Sequence, residues 1–408
     1  MTVLGIDFGT SNTAAAVAVN GKPFVIPLEA GEQTLPTAVF LDFANRRTLY
    51  GRPAARAMME GEEGRFMRAL KSVLGTSLAR EKRQFMNEKL TLIEVIARFL
   101  AEIRKRAEAA TYQEVTGVLS GRPVRFHSAD EARNAQAAED LEEAYRLAGF
   151  KTINFLPEPE AAALAAGGQG RSLIVDIGGG TSDFTLCDRD GDGFRVLASQ
   201  GIRLGGTDFD KALSLAHVMP LFGYGAEIGN EMGPGSHRAP RALYQDLASW
   251  EKITFVYGPA LLRDVRRWER LARDPQLFGR LGEVLEMHLG HDVAYAVEAG
   301  KIRANGDGEG MIQLDPVEKG LRVALMRDLM QAELEGYADQ IAACAAETIA
   351  KADVTPESID RIVYVGGSSL LGVIQHRMEA LLPEARPETS EVFTAVVDGL
   401  ALAAGRDS

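Results

Sequence analysis

The sequence predicts an α/β protein made of two related lobes, and three observations support this prediction. First, a short apolar strand followed by an Asp-x-Gly loop and a hairpin occurs twice, about half a chain apart. Second, strands alternate with helical patterns along most of the chain, as they do in the α/β class. Third, the interval between the two copies is far longer than a solenoid repeat of roughly 20–50 residues. We therefore expect two duplicated lobes with mixed sheets and flanking helices.

The first copy of the repeat begins at the N-terminus. Residues 3–6 are apolar and predict a strand, and Asp7 stands at its end, before a loop of small residues. Further apolar runs flank Asn20 and Gly21, and Asn-Gly between apolar runs is the strongest short-range signal for a hairpin. The acidic loop therefore leads from one strand into a hairpin.

The second copy repeats this order near the middle of the chain. Residues 173–175 predict a strand that ends at Asp176, and a glycine-rich loop follows. Residues 184–187 and 194–198 predict the two strands of a hairpin, with a Gly/Asp turn at residues 190–193.

Helices and further strands connect and follow the two copies. Apolar residues at helical spacing, Gly149 as a C-cap and Pro159 in a first turn predict helices over residues 91–110, 129–148 and 160–166. Later in the chain, residues 321–352 predict a long helical region. Short apolar runs predict strands over residues 115–119, 152–156 and 361–365.

The stretch from about residue 214 to 300 has a different composition. Residues 229–240 are rich in Gly and Pro and predict a loop. Residues 261–289 predict a helix that is dense in arginine. Its interleaved Asp and Glu residues favour a solvated face over a partner-binding face.

Composition limits the classes of function. The chain has 408 residues, of which 46% are hydrophobic and 25% charged, which is typical of a soluble globular protein with more than one core. A net charge of -12 argues against general nucleic-acid binding, which needs a basic surface. Two cysteines indicate a reducing cytoplasm. We see neither a signal peptide nor the roughly 20 apolar residues of a membrane helix.

The two acidic loops point to phosphate and magnesium chemistry. Loops of small residues expose successive backbone N–H groups that bind anions, and glycine lets the backbone approach phosphate oxygens closely. Carboxylates beside a polyphosphate would repel it unless a cation lies between them, and Mg²⁺ is bound in this way. The carboxylates and hydroxyls in question are Asp7, Thr10, Ser11, Asp176, Thr181 and Asp183.

Five motifs carry a resemblance to a known family. Residues 5–13 and 176–184 resemble the two phosphate motifs of the actin, sugar-kinase and heat-shock chaperone ATPases. Residues 158–165, 204–210 and 363–369 resemble the connecting motif, the glycine pair and the adenosine motif of the DnaK-type heat-shock chaperones. The resemblance implies the actin-like ATPase fold, with two lobes around a central nucleotide cleft, and ATP or ADP with Mg²⁺ as the bound cofactor.

The resemblance also implies roles for individual residues. It assigns Asp7 and Asp176 to the magnesium ion, and it assigns catalytic work, including the orientation of water, to Asp7, Glu158, Asp176 and Asp183. It assigns Glu298 and Lys301 to the ribose. The remaining nucleotide contacts are expected from Gly9, Thr10, Ser11, Asn12, Gly178, Gly179, Gly180, Thr181, Gly205, Gly206, Gly366, Gly367 and Ser368.

The motif order also implies limits for the lobes. We expect lobe I over residues 1–166, with residues 383–408 returning to it. We expect lobe II over residues 167–382, including the divergent part at about 214–300. Because the last ATPase helix resembles residues 398–401, we expect an ATPase domain without a peptide-binding domain in the same chain.

Two departures from the family pattern bear on catalysis and adenine binding. Ala55 is expected where the family has its catalytic lysine, with Arg56 or Lys71 as possible substitutes. This predicts nucleotide binding with slow hydrolysis. Leu370 is expected where the family has an arginine that stacks on adenine.

Three functions are compatible with these motifs. The chain could be a slow Mg-dependent ATPase that acts as a nucleotide-driven switch for an unknown client or co-chaperone. It could be a nucleotide-binding scaffold without significant hydrolysis, or a small-molecule kinase of the same superfamily. We expect no nucleic-acid and no membrane partner.

Overall fold

The computed structural model describes residues 2–406, except for residues 30, 128–129, 192 and 390–393. The chain forms two compact units, Met1–Gly206 with Ala338–Ser408, and Thr207–Tyr337. The lobe boundary predicted at residues 166/167 falls inside the first unit, between two large sheets. The lobe limits stay a prediction.

The strands are, in chain order, β1 (Thr2–Phe8), β2 (Asn12–Val19), β3 (Lys22–Val25), β4 (Leu35–Pro36), β5 (Ala38–Asp42), β6 (Arg47–Tyr50), β7 (Gly64–Arg68), β8 (Arg83–Phe85), β9 (Glu88–Leu90), β10 (Val115–Arg122), β11 (Thr152–Pro157), β12 (Gly170–Ile177), β13 (Ser182–Asp190), β14 (Gly193–Ile202), β15 (Glu227–Gly229), β16 (Ser236–Arg238), β17 (Glu309–Gln313), β18 (Arg322–Met326), β19 (Arg361–Val365) and β20 (Arg386–Thr389).

The α-helices are α1 (Arg52–Met59), α2 (Ser77–Arg80), α3 (Leu92–Thr111), α4 (Glu131–Leu147), α5 (Glu158–Ala165), α6 (Gly206–Leu213), α7 (Arg241–Leu247), α8 (Ile253–Val256), α9 (Pro259–Leu271), α10 (Pro275–Glu286), α11 (Gly290–Asp307), α12 (Arg327–Lys351), α13 (Gly372–Leu381) and α14 (Ala395–Arg406). Two 3₁₀ turns, Leu70–Val73 and Gly367–Leu370, lie near the candidate site described below.

The first large sheet of the first unit has the strand order β11–β10–β1–β2–β3, with β4 paired to β2. β1 runs parallel to β10 and antiparallel to β2. Leu4, Ile6 and Phe8 alternate along β1 and are fully buried. The predicted hairpin is confirmed, and both of its turn residues, Asn20 and Gly21, have the positive φ that such a turn needs.

The second large sheet, β14–β13–β12–β19–β20, repeats the plan of the first. β12 pairs antiparallel with the hairpin strand β13 and parallel with β19, just as β1 pairs with β2 and β10. The repeat seen in the sequence is therefore a repeat of sheet topology. In both sheets the acidic residue of the Asp-x-Gly loop lies near the end of the central strand.

The helices of the first unit follow their predicted positions closely. α3 begins with a capping box, in which the Thr91 hydroxyl accepts from the Glu94 N–H and the Glu94 carboxylate accepts from the Thr91 N–H. α4 begins at Glu131, and the earlier start expected at Ala129 lies outside the described residues. α5 begins at Glu158 rather than Glu160, because Pro159 already belongs to its first turn.

The C-terminal helix α14 packs on the first sheet. Its Val397 and Ala401 form a buried cluster with Ala14 and Ala16 of β2. Leu400 of the same helix belongs to a second buried cluster, which contains Ala161, Ala162 and Ala163 of α5. Small side chains at these positions let the two helices and the sheet approach closely.

Two expectations about the later part of the chain are wrong in detail. Residues 321–352 are not helical throughout, because Arg322–Met326 pairs with β17 as a strand before α12 begins. Residues 261–289 form two helices, since Pro275 starts a new helix after α9 has ended at Leu271.

The second unit consists mainly of helices, with two antiparallel hairpins, β15–β16 and β17–β18. The second strand of the first hairpin, β16, lies within residues 229–240, which were predicted to be loop, whereas β15 begins before them. The Arg266 guanidinium contacts the carboxylates of Glu269 and Glu286, in agreement with a solvated, ion-paired helix face. Among the described residues, no helix combines the length and apolar composition needed to span a membrane.

Candidate nucleotide site

The first acidic loop joins β1 to β2 and is fixed by Thr37. The Thr37 hydroxyl donates to the carbonyl of Gly9 over 2.8 Å, and the Thr37 N–H donates to the carbonyl of Ser11 over 2.9 Å. Thr10 is buried, and Asn12 opens β2 opposite Pro36. With two of its carbonyls engaged by Thr37, the loop is held in one conformation.

The second loop joins β12 to β13 and lies against the first. The Gly178 N–H donates to the Thr181 carbonyl over 3.0 Å, which closes the loop. A Cβ on Gly179 would lie 2.6 Å from the Ser11 hydroxyl, and one on Gly180 would lie 3.0 Å from the hydroxyl of Thr10. Only glycines let the two loops come this close. The structure therefore brings both predicted phosphate loops together.

The predicted glycine pair and adenosine motif complete this group of loops. The Gly206 N–H donates to the Gly178 carbonyl over 3.0 Å, and a Cβ on Gly205 would lie 2.8 Å from that same carbonyl. A Cβ on Gly206 would lie 2.5 Å from the Ser368 hydroxyl, in the 3₁₀ turn that begins at Gly367. Gly366 precedes this turn and has a φ of 77°.

Four carboxyl groups, each near the end of a strand or helix, and one lysine lie beside these loops. Asp7 is near the end of β1, Asp176 near the end of β12, Asp183 near the start of β13 and Glu158 at the start of α5. The Lys71 ammonium lies 2.5 Å from a carboxylate oxygen of Glu158, and both side chains are buried.

Burial and neighbouring carboxylates raise the pKa of Asp7, Asp176 and Asp183. Burial raises the pKa of Asp7 to about 7, and Glu158 raises it while Lys71 opposes the rise. Burial and then Glu158 raise the pKa of Asp183 to about 8, although hydrogen bonds from the Val124 N–H and Thr181 oppose the rise. Burial, Glu158, Asp183 and Asp7 hold the pKa of Asp176 well above its usual range.

The lysine at this site is Lys71, one of the two residues expected to substitute for the family lysine that Ala55 replaces. Ala55 lies buried in α1, whereas Lys71 is surrounded by the acidic side chains. Burial alone would lower the pKa of Lys71, but Glu158 and Asp7 outweigh it and raise the pKa, so the ammonium stays charged. The sequence carried a signal for this, because Lys71 and Ser72 interrupt an otherwise apolar segment, Ala69–Leu74, and a lysine buried in such a segment needs a charged partner.

Glu298 and Lys301 belong to the second unit, where they lie one turn apart on α11. The Lys301 ammonium lies 2.6 Å from a carboxylate oxygen of Asp210, whose other oxygen accepts from the Trp250 indole over 3.1 Å. Sequence reasoning missed Asp210 as the partner of Lys301. The assignment of Glu298 and Lys301 to ribose, and of Leu370 to adenine, stays a prediction.

The charge balance of the first unit's site suits a bound cation. Within the set of Asp7, Lys71, Glu158, Asp176 and Asp183, four carboxyl groups lie near one ammonium, and a bound cation would favour the ionised form of these carboxyl groups. No group of three or more His, Cys, Asp or Glu in the described part of the chain is arranged to hold a metal ion by itself. Mg²⁺ fits such a site, because it is commonly bound through one or two carboxylates together with waters and substrate phosphates.

Comparisons with known proteins show which family the chain resembles. A family model described as Hsp70 protein matches residues 3–231. The chaperone protein DnaK of Thermoplasma acidophilum is 38% identical over 222 residues, which are 52% of this chain and 34% of the relative. The chaperone protein DnaK of Methanothermobacter thermautotrophicus is 26% identical over 417 residues, which are 99% of this chain and 59% of the relative.

The chain thus spans only 34% to 59% of the length of these two relatives. The family match nevertheless covers more than half of the 408 residues, and it includes both acidic loops, Lys71, Glu158 and the glycine pair. The resemblance to the DnaK-type chaperones is therefore confirmed: the chain belongs to the Hsp70 family and has the actin-like ATPase fold of that family.

Proposed function

We propose that this protein is an Mg-dependent ATPase that acts as a nucleotide-driven conformational switch. The observation that carries the proposal is the buried Lys71–Glu158 pair among three further carboxylates, directly beside two glycine loops that pack on each other. Family membership supports binding of ATP or ADP. A protein client or co-chaperone that responds to the nucleotide state is part of the same proposal.

The glycine loops would bind the phosphates through backbone N–H groups and through the hydroxyls of Thr10, Ser11 and Thr181. Asp7 and Asp176 would hold the magnesium ion through its waters. When bound, Mg²⁺ would neutralise phosphate charge and orient the terminal phosphoryl group. These interactions are mostly electrostatic and depend on fixed geometry, which the buried loops provide.

Hydrolysis breaks the bond between the terminal phosphorus and its bridging oxygen and forms a new bond to a water oxygen. Glu158 and Asp183 would orient that water, and in its ionised form either carboxylate would accept the proton. The Lys71 ammonium would stabilise the negative charge that develops on the phosphoryl oxygens. Lys71 in the site supports hydrolysis, and it weakens both the reason for expecting slow turnover and the case for a non-hydrolysing scaffold.

A steady-state assay of ATP hydrolysis, paired with calorimetric titration of nucleotide, tests the proposal. We expect magnesium-dependent turnover by the natural protein, and a loss of roughly 10²–10³ in kcat for Lys71→Met. ATP affinity should change little, because the loops bind phosphate mainly through backbone groups. Lys22→Met, which removes an exposed lysine, is the matched control.

Two results would contradict the proposal. Tight nucleotide binding without turnover would favour the scaffold. Turnover that appears only when a small-molecule acceptor is added would favour the kinase.

A further inference from the structure

The turn that carries Lys71 is held by side chains from three other parts of the first unit. Immediately after Lys71, the Ser72 carbonyl accepts from the guanidinium of Arg203 over 3.0 Å. The Leu74 carbonyl lies 2.8 Å from Nε2 of His127, which must carry a proton there because a carbonyl only accepts. The Gly75 N–H donates to the buried carboxylate of Asp140 over 2.8 Å.

This turn has an unusual backbone and needs such support. Ala69 and Gly75, which flank it, both have positive φ, at 57° and 74°. A 3₁₀ turn satisfies few backbone groups by itself, and buried carbonyls without partners are costly. The three side chains provide partners for backbone groups that no strand or helix in the described part of the chain engages. They thereby fix the Cα of Lys71 and the direction in which its long side chain leaves the backbone.

Arg203 differs from His127 and Asp140 because its own backbone lies next to the glycine pair. It follows β14 and stands directly before Leu204 and the glycine pair. The Leu204 carbonyl accepts from the Ser182 hydroxyl over 2.7 Å, and the Gly206 N–H donates to the second phosphate loop. Arg203 therefore links the turn of Lys71 to the glycine pair and to the loop between β12 and β13.

We propose that Arg203 is a positioning residue for Lys71. It holds the Lys71 ammonium group at a fixed position relative to the second phosphate loop. The inference rests on the proposed ATPase function. Arginine suits this role because its guanidinium group is planar and rigid. It therefore loses little conformational freedom for each hydrogen bond that it forms. Positioned groups must be held closely, and a displacement of about 1 Å can reduce turnover by about 10²-fold.

The first test measures the position of Lys71 without nucleotide or catalysis. Acetylation by an amine-reactive ester, followed by mass spectrometry, reports how accessible each lysine is. Lys71 should react slowly in the natural protein, because it is buried against Glu158. In Arg203→Ala we expect its rate to rise by about fivefold or more through local opening of the turn, while the exposed Lys22 reacts as before.

The second test asks whether Arg203 acts through Lys71. We expect Arg203→Ala to lower the single-turnover rate constant of ATP hydrolysis by about 10- to 100-fold. The dissociation constant for ATP should stay within about twofold of that of the natural protein. Arg203→Lys should restore part of the rate, since an ammonium can still donate to the Ser72 carbonyl. In a Lys71→Met background, Arg203→Ala should have little further effect, because residues that act as one unit are not additive.

Arg195→Ala is the matched control, since Arg195 lies on β14 and its side chain is 74% exposed. An unchanged acetylation rate of Lys71 in Arg203→Ala overturns the inference, whether or not the protein hydrolyses ATP. Equal loss of turnover in the natural and Lys71→Met backgrounds overturns it as well. Absence of turnover in the natural protein, with faster acetylation in Arg203→Ala, would refute the ATPase proposal and leave the positioning of Lys71 supported.

Discussion

The nucleotide-free protein should lose stability as the pH rises, and Asp183 should account for a large share of the loss. Asp183 is only 1% exposed, and its pKa is raised from 3.8 to about 8. Because the folded-state pKa lies above the unfolded one, the stabilising contribution is complete below about pH 4 and disappears as the pH rises through about 8. Between these two pH values, the Asp183 carboxyl group keeps a proton in the folded state that it has already released in the unfolded state.

The size of the effect follows from this difference. Each pH unit in that interval removes about 1.4 kcal/mol from the free energy of unfolding. From about pH 5 to pH 8 the loss therefore reaches about 4 kcal/mol if Asp183 titrates independently of its neighbours. Asp7, whose pKa is raised to about 7, acts in the same direction.

The assay compares urea unfolding of the natural protein and Asp183→Asn at several pH values, without nucleotide. Asparagine keeps an acceptor for the Val124 N–H but cannot ionise. The stability of the variant relative to the natural protein should therefore increase with pH. Asp190→Asn, at an exposed position of the same strand, is the control and should show no such trend. Parallel pH profiles for the natural protein and Asp183→Asn would refute the reasoning.

Three further predictions concern nucleotide binding. Mg-ATP or Mg-ADP at a hundredfold excess over its dissociation constant should stabilise the protein by about 2.7 kcal/mol, and no shift in melting temperature at millimolar nucleotide would contradict this. Asp7→Asn and Asp176→Asn should weaken magnesium-dependent binding, as measured by calorimetry, more than Asp188→Asn, which changes a residue of the β13–β14 hairpin; equal effects would mean that the metal site is elsewhere. Gly205→Ala should weaken nucleotide binding about tenfold or more, because its Cβ would push into the second phosphate loop, whereas Gly306→Ala, whose Cβ meets open space, should not.

Much of the fold could be predicted from local patterns. The Asn-Gly turn, the two strand–loop–hairpin copies and the capped helix α3 each depend on neighbouring residues, so the sequence contains their physical causes. One local pattern was misread. Residues 322–326 were predicted as helix, but they pair as β18 with β17, which ends nearby at Gln313. Over so few residues, the apolar run Val323–Met326 suits a strand as well as a helix, and periodicity alone cannot separate the two.

The candidate site also contains residues that the sequence identifies and residues that only the folded structure brings together. The sequence by itself determined the glycine loops and their carboxylates, because close approach to phosphate requires glycine at fixed places in a short segment. Only the tertiary structure decided which cation joins them, since Lys71 and Glu158 are separated by 87 residues and meet only when the first unit has folded. The same holds for Arg203, whose contact with Ser72 spans 131 residues. A long, flexible cationic side chain shows no preference in sequence for one distant partner, and only the packing of the sheets selects it.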